Sequence, residues 1–251
     1  MTTLLDPRHD PSPVDIVEPG ARPDILLVCE HAGQAVPRAL DGLGLPSGEI
    51  DRHIGWDIGA EALARDMAAR LGCGLIVQRY SRLVIDCNRP PEGPHAVPEV
   101  SDGTAVPGNQ GLCAEARDAR VAEIFTPFAA ACRTRVSPPV RAAFSIHSFE
   151  PVLAGVTRPW DIGFLFRTEA SGGARLARAM RKSEPSLDVG DNEPYTIEPE
   201  TDWFIPACAE PAGLIHSLIE VRNDHLRDPA SISAWANRLT TLITDFTGDT
   251  P

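Results

Sequence analysis

No CxxC pair, no basic run and no long apolar stretch occur in this 251-residue chain, and each absence closes off a class of protein. The six cysteines (Cys29, Cys73, Cys87, Cys113, Cys132, Cys208) stand apart, without the spacing of a zinc ribbon or a dithiol redox motif. The opening MTTLLDPRHDPSP carries acids and prolines rather than a basic end and an apolar core. It does not read as a signal peptide, so reduced thiols and a cytoplasmic location are expected. No uninterrupted apolar run approaches the ~18 residues that span a bilayer, and no membrane partner is expected. Acids outnumber bases 35 to 23, for a formal charge of -12, and no Lys/Arg run offsets that field. Nucleic acid is therefore not an expected partner. A GxSxG elbow is missing too, and Cys29 lies inside an apolar run where a thiolate is disfavoured, which argues against serine or cysteine hydrolysis.

What remains is ordinary globular composition, 43% hydrophobic and 23% charged, with length enough for one large domain. A core of that size needs no metal merely to fold, so a bound metal points to catalysis. Residues 1–23, rich in Pro, Asp and Arg, read as an N-terminal arm, loosely held, leading into one α/β domain over 24–251. Residues 24–29 (DILLVC) read as a buried parallel strand that ends abruptly at Glu30-His31-Ala32-Gly33. A helix is expected over 57–71, with Gly72 as its stop, then a strand at 74–77 and a third short apolar run at 83–86. The Pro- and Gly-punctuated stretch 90–111 suits an active-site loop. Further helices are expected at 113–125, resuming past Pro127, and at 170–182, with strands at 140–147, 161–166 and 213–221. The last helix has Asp228 as N-cap, Pro229 at its first position, and an apolar stripe from Ile232 to Phe246.

Four segments set ionisable groups at the ends of apolar runs: Cys29-Glu30-His31, the His53–Asp57 segment HIGWD, Ile146-His147-Ser148 and Ile219-Glu220-Val221. Burying such groups without partners costs several kcal/mol each, on the order of 2–7 for a polar group. Hydrogen bonds to neighbouring loops would explain any one of them. Together, the histidines and carboxylates at strand ends, two of each from the three strand segments beside Asp57, suit a catalytic zinc, which needs three protein ligands, an open position and a separate base. Nearby, Arg82, Asp86, Asn88 and Arg89 look like an anion-binding wall in which Asp86 steadies a guanidinium, although in a chain with so few lysines the choice of arginine says little by itself.

In order, CEHAGQAVP, HIGWDIGAEALA, YSRLVIDCNRP, IHSF, DNEPY and LIEVRND closely resemble the N-formylglutamate amidohydrolase family, over about residues 24 to 247. That family is similar to the zinc carboxypeptidases and the succinylglutamate desuccinylase–aspartoacylase group. The resemblance implies their fold, a single α/β domain with a mixed central sheet flanked by helices (phosphorylase/hydrolase-like). It also implies Zn2+, or another divalent metal, held by His31 and His147. The carboxypeptidase relatives supply a glutamate three positions after the first histidine, where this chain has Gln34. Asp57 is the candidate replacement and Glu30 the runner-up, adjacent residues at a strand end usually pointing apart. Asp57 reads equally as an N-cap for the helix it opens. By the same resemblance Glu220 is the catalytic base, Arg82 polarises the scissile carbonyl, Asn88 and Arg89 hold a substrate carboxylate, and Tyr195 is a lid residue or a packed loop tyrosine. The expected substrate is a small anionic N-acyl amino acid, foremost N-formyl-L-glutamate, cleaved to formate and glutamate. The rival readings are another N-acyl amino acid or small amide, and a non-catalytic binder of metal or amino acid.

Overall fold

A computed structural model describes residues 3–248. The strands are β1 (Val14–Val17), β2 (Arg22–Cys29), β3 (Cys73–Gln78), a hairpin of β4 (Val100–Ser101) and β5 (Thr104–Ala105), β6 (Ala142–Phe149), a second hairpin of β7 (Val152–Leu153) and β8 (Val156–Thr157), β9 (Ile162–Leu165), β10 (Val189–Asp191) and β11 (Ile215–Arg222). Seven of them form one mixed sheet in the order β1-β3-β2-β6-β11-β9-β10. The central four, β3, β2, β6 and β11, run parallel. Strands covered on both faces read as near-continuous apolar runs, which is how residues 25–29 of β2 and 75–77 of β3 look in the sequence. At the margins β1 is antiparallel to β3 and β9 is antiparallel to β11. The result is an α/β fold with a mixed central sheet flanked by helices.

Helices α1 (Ala60–Leu71), α2 (Ala114–Arg120), α3 (Thr126–Arg135), α4 (Gly173–Ser183) and α5 (Pro229–Gly248) cover the two faces. Under α1, α4 and α5, the side chains of Ile25, Leu27, Cys29, Phe144, Ile146, Ile219 and Val221 meet Leu63, Met67, Leu176, Met180, Trp235, Leu239 and Ile243. On the other face Leu26, Val28, Ala143 and Leu218 pack with Ile124, Phe128, Cys132, Phe204 and Ile205. Asp228 caps α5 as its position suggests: its Oδ1 accepts from the backbone N–H of Ala230 and of Ser231, both at 3.0 Å.

Three expectations need correction. The arm is not a loose lead-in, because Val14–Val17 pairs with Leu75–Gln78 as an edge strand and the N–H groups of Leu4 and Leu5 donate to the Glu123 carboxylate. The helix over 113–125 does not stop before Pro127: a π-helical turn at Val121–Phe125 links α2 to α3, a widening that accommodates a residue with no N–H to give. The apolar run at 83–86 forms turns, its Leu83, Val84 and Ile85 buried under the loop that carries the arginines. Five of the six cysteines are buried and unpaired, with Cys113 exposed. Among the described residues no helix is long and apolar enough to cross a membrane.

Candidate active site

Side chains alternate between faces along a strand, and three neighbouring strands use that alternation in the same way. On the face away from α1 and α5, β2 and the residue after it present Leu26, Val28 and Glu30, β6 presents Ala143, Ser145 and His147, and β11 presents Leu218 and Glu220. The β2 and β6 series run from apolar residues to an ionisable one at the carboxyl end, and β11, which carries His216 before Leu218, likewise places Glu220 there. The parallel register sets Val28 beside Ser145, Ser145 beside Leu218, and His147 beside Glu220. Three polar groups are thus laid down together at the edge where open α/β sheets place ligands.

Two loops complete the site, and glycines let them close. A Cβ on Gly33 would lie 1.9 Å from the carbonyl oxygen of Arg79, so only glycine lets the turn after His31 lie against the segment leading to Arg82. Ala35 N–H donates to Arg79 and Ser81 N–H to Ala35 across that contact. Gly55, pressed onto the Ile50 carbonyl, offers its own oxygen to the Ser81 hydroxyl at 2.7 Å and to the Arg82 N–H at 3.2 Å. Asp57 N–H in turn donates to the His31 carbonyl at 2.8 Å. The segments carrying His31, Asp57 and Arg82 are therefore stitched to one another by backbone.

The side chains then converge. Ligand atoms of His31, Asp57 and His147 all lie within 4.8 Å of one another, and all three residues are buried. Asp57 Oδ2 is 2.8 Å from His147 Nδ1 and 3.5 Å from His31 Nδ1. Behind the rings, Asp86 Oδ1 lies 2.6 Å from His31 Nε2, and Glu30 Oε2 lies 3.1 Å from His147 Nε2. Each imidazole is oriented from its outer nitrogen by a carboxylate, the arrangement that fixes the tautomer of a metal-ligating histidine. Asp57 does not cap α1, whose N-cap position is Gly59; its carboxylate turns inward instead. Glu30 also accepts from the Ser145 hydroxyl, at 2.7 and 2.8 Å to its two oxygens, and so sits behind His147 rather than in the cluster. Gln34 points elsewhere, donating to Asp51 Oδ1 at 3.2 Å.

Electrostatics follow from burial and pairing. Burial opposes charge on His147, yet Glu30 and Asp57 on its two sides hold its pKa well above the usual imidazole range. Burial likewise opposes charge on Asp57 and Asp86, but the neighbouring His31, with His147 for Asp57 and Arg82 for Asp86, keeps both carboxyls well below their ordinary values. Glu220 goes the other way. Desolvation, reinforced by Asp57, pushes it up to about 8 against the opposing pull of His147, Arg82 and Arg158. Its Oε2 is buried and has no hydrogen-bond partner, and neither has His31 Nδ1. Buried polar atoms are seldom left unpaired. Two such atoms, in a group of two imidazoles and a carboxylate, fit a site built for a divalent cation and something bound beside it.

Arg82 Nη1 donates to Asp57 at 3.2 Å and its Nη2 to Asp86 at 3.1 Å. Asp86 therefore serves both the guanidinium and His31. Arg89 donates to the Thr201 carbonyl, and its Nε lies 3.7 Å from Asp86. Asn88 is more occupied than a free substrate contact: its Oδ1 accepts from the N–H groups of Trp203 and Phe204, and its Nδ2 donates to Asp202 at 3.0 Å. One amide N–H is left for a ligand. Tyr195, 38% exposed, accepts from Arg158 at 2.9 Å, with that guanidinium stacked 4.7 Å over its ring. All eight expected site residues line one cavity of about 710 Å³. The same walls include His53, Asp202 and, at the rim, His95, none of which motif reading had assigned a role. His53 stands four residues before Asp57 in HIGWD, and nothing in that spacing sets its imidazole apart from a packed loop histidine.

An α/β sheet whose carboxyl edge gathers two imidazoles, a carboxylate and an unpartnered glutamate defines a hydrolase-type protein with a possible metal centre. The family model for N-formylglutamate amidohydrolase matches residues 24–226, and the chain belongs to that family of amidohydrolases. Among solved structures, a gene product of Agrobacterium tumefaciens is 32% identical over 98% of both chains, with a TM-score of 0.91. The N-formylglutamate amidohydrolase of Ralstonia eutropha is 18% identical, covers 94% of this chain and 97% of its own, and superposes with a TM-score of 0.67, a likeness of fold. No curated protein matches the chain.

Proposed function

We propose that the protein hydrolyses the amide of a small anionic N-acyl amino acid, with N-formyl-L-glutamate, giving formate and glutamate, as the leading substrate. The observation that supports it most is the meeting of His31, Asp57 and His147 in a cavity that Glu220 and Arg82 also line. His31 Nδ1, His147 Nδ1 and an Asp57 oxygen would hold zinc or another divalent metal. When bound, such a cation supplies electrophilic charge for an amide carbonyl and acidifies a water toward neutral pH.

The chain's own groups divide the remaining work. Glu220 Oε2 takes the proton of the attacking water and delivers it to the departing nitrogen. Arg82, held between Asp57 and Asp86, donates to the carbonyl oxygen as negative charge develops there, and its rigid setting spares reorganisation at that moment. Arg89 and the free N–H of Asn88 fix a substrate carboxylate, which supplies orientation. Asp86 and Glu30 keep the two rings turned inward.

Metal analysis with a kinetic panel of N-formyl, N-acetyl and N-succinyl amino acids tests the reading. The expected result is one bound divalent ion per chain and turnover of N-formyl-L-glutamate. In Glu220→Gln the ion should stay while kcat falls about 10²–10⁴-fold, the usual worth of a general base. A glutamine variant with full activity would overturn the assignment of the base.

A further inference from the structure

A second chamber of about 290 Å³ adjoins the catalytic cavity, and His53, Ile54, Arg82, Ser101 and Tyr195 line both. Arg89 and the His31–Asp57–His147 cluster line only the first, so Arg82 stands at the passage between the two. We propose that this chamber is an acyl-side subsite that takes an uncharged acyl group of several carbons. The assignment rests on the reading above, in which Arg89 holds the amino-acid carboxylate and Arg82 meets the amide carbonyl. The substrate atoms that continue past Arg82 are then those of the acyl group. A formyl group ends at its carbonyl and has no use for such a space, which exceeds the ~30 Å³ share of one water several times over.

Charge selects the chemistry. Apart from His53 and from Arg82, which stands at the passage and is assigned to the amide carbonyl, the chamber's cation is Arg52, already bound to Glu49 at 2.6 Å and to Asp102 at 3.1 Å, and Glu150 adds a further carboxylate to its field. Three acids around one base leave nothing to receive a second substrate carboxylate. Ile54, Leu153, Ala154 and Tyr195 supply the apolar part of the wall. Both hairpins that contribute to the chamber also carry exposed apolar side chains. Among the described residues, the exposed large hydrophobics are Val100 at 59%, Val152 at 47%, Val156 at 66%, Tyr195 at 38% and Ile16 at 37%. Only Ile16 lies away from β4–β5, β7–β8 and the Tyr195 loop. Val100 and Val152 are chain neighbours of Ser101 and Leu153 in the chamber wall, and Val156 is the strand partner of Leu153, so the hairpins that carry the wall add apolar surface beside it.

The test measures kcat/KM of the metal-loaded enzyme for N-formyl-, N-butyryl- and N-succinyl-L-glutamate, together with Leu153→Trp and Ser101→Phe, which fill the chamber from different hairpins. Each buried methylene is worth about fourfold, so tenfold is a modest floor for three added carbons. Wild type should hydrolyse the butyryl compound at least tenfold better than the succinyl one. Both variants should lower the butyryl-to-formyl ratio at least tenfold. A ratio that neither variant moves, an enzyme that prefers succinyl to butyryl, or one that cleaves the formyl compound alone would overturn the subsite. If no N-acyl glutamate is cleaved at all, the functional reading falls and the subsite with it, a pattern distinct from loss of the longer acyl group only.

Discussion

The two faces of the central sheet are built from the same three strands and end differently. Toward α1, α4 and α5 the alternate positions carry no ionisable group, being apolar through Cys29, Ile146 and Val221 apart from the small hydroxyls of Ser148 and Ser217. On the opposite face the series closes on Glu30, His147 and Glu220, all buried. The first face is continuous core, of the kind that fixes how the helices sit. The second keeps charged groups out of water, which stabilises nothing unless each finds a partner. Most do: Asp86 with His31 and Arg82, Glu30 with His147 and Ser145. The exceptions, His31 Nδ1 and Glu220 Oε2, lie where the proposed cation and water belong. One strand can thus serve stability on one side and chemistry on the other, because its period of two keeps the two tasks apart.

Substitutions on the two faces should separate those tasks. The largest effect is expected from His147→Ala, which removes a proposed metal ligand and leaves Asp57 and Glu30 facing each other without the ring between them. Metal content should fall to background and turnover by at least about 10³-fold, since the cation and its acidified water go together. Three residues earlier on the same strand, Phe144 is fully buried on the opposite face. Phe144→Ala should cost about 3–5 kcal/mol of stability, which for a domain of this size lowers the Tm by roughly 6–20 °C. Its folded fraction should still bind metal stoichiometrically and keep kcat within a few-fold. Calorimetry and metal analysis on both variants check the pair. A Phe144→Ala protein that melts normally but has lost its metal would break the division between the faces.

Much of this division could be read from the residues, and the unread part has a physical cause. The strand at residues 24–29, the α5 cap at Asp228 and the grouping of Arg82, Asp86, Asn88 and Arg89 are local patterns, set by neighbours within one or two turns. So is the abrupt end of an apolar run on Glu30-His31. Reading those runs with a period of two would have gone further, because Val28, Glu30 and Ser145, His147 are then seen to share a face, with Ser145 as a marker for the orientation of Glu30. The N-cap alternative for Asp57 was open because an acid before a helix serves either purpose; only the contact with His31 and His147, 26 and 90 positions away, separates them. Asp86 binding His31, Asn88 holding the 202–204 segment, and Val14–Val17 closing the sheet edge are likewise long-range closures. No periodicity within either partner announces them.

The smallest of the expected effects probes the distinction between a ligand and the group behind it. Glu30 is 1% exposed, and both its oxygens are used, by Ser145 and by His147 Nε2. Glu30→Gln keeps the shape and one acceptor for the ring but withdraws the negative charge that makes His147 a better donor at Nδ1. Losing such a partner typically weakens metal binding about 10–100-fold, and a competition titration with a chelator reads that directly. Because the variant retains the ring's orientation, kcat at saturating metal should change far less than affinity does. Were Glu30 a direct ligand instead, in place of Asp57, the glutamine variant would lose metal as completely as His147→Ala, and Asp57→Asn would then be the milder change. The ranking of these two substitutions, measured under one chelator condition, therefore decides which carboxylate of the polar face touches the cation and which one only aims the ring.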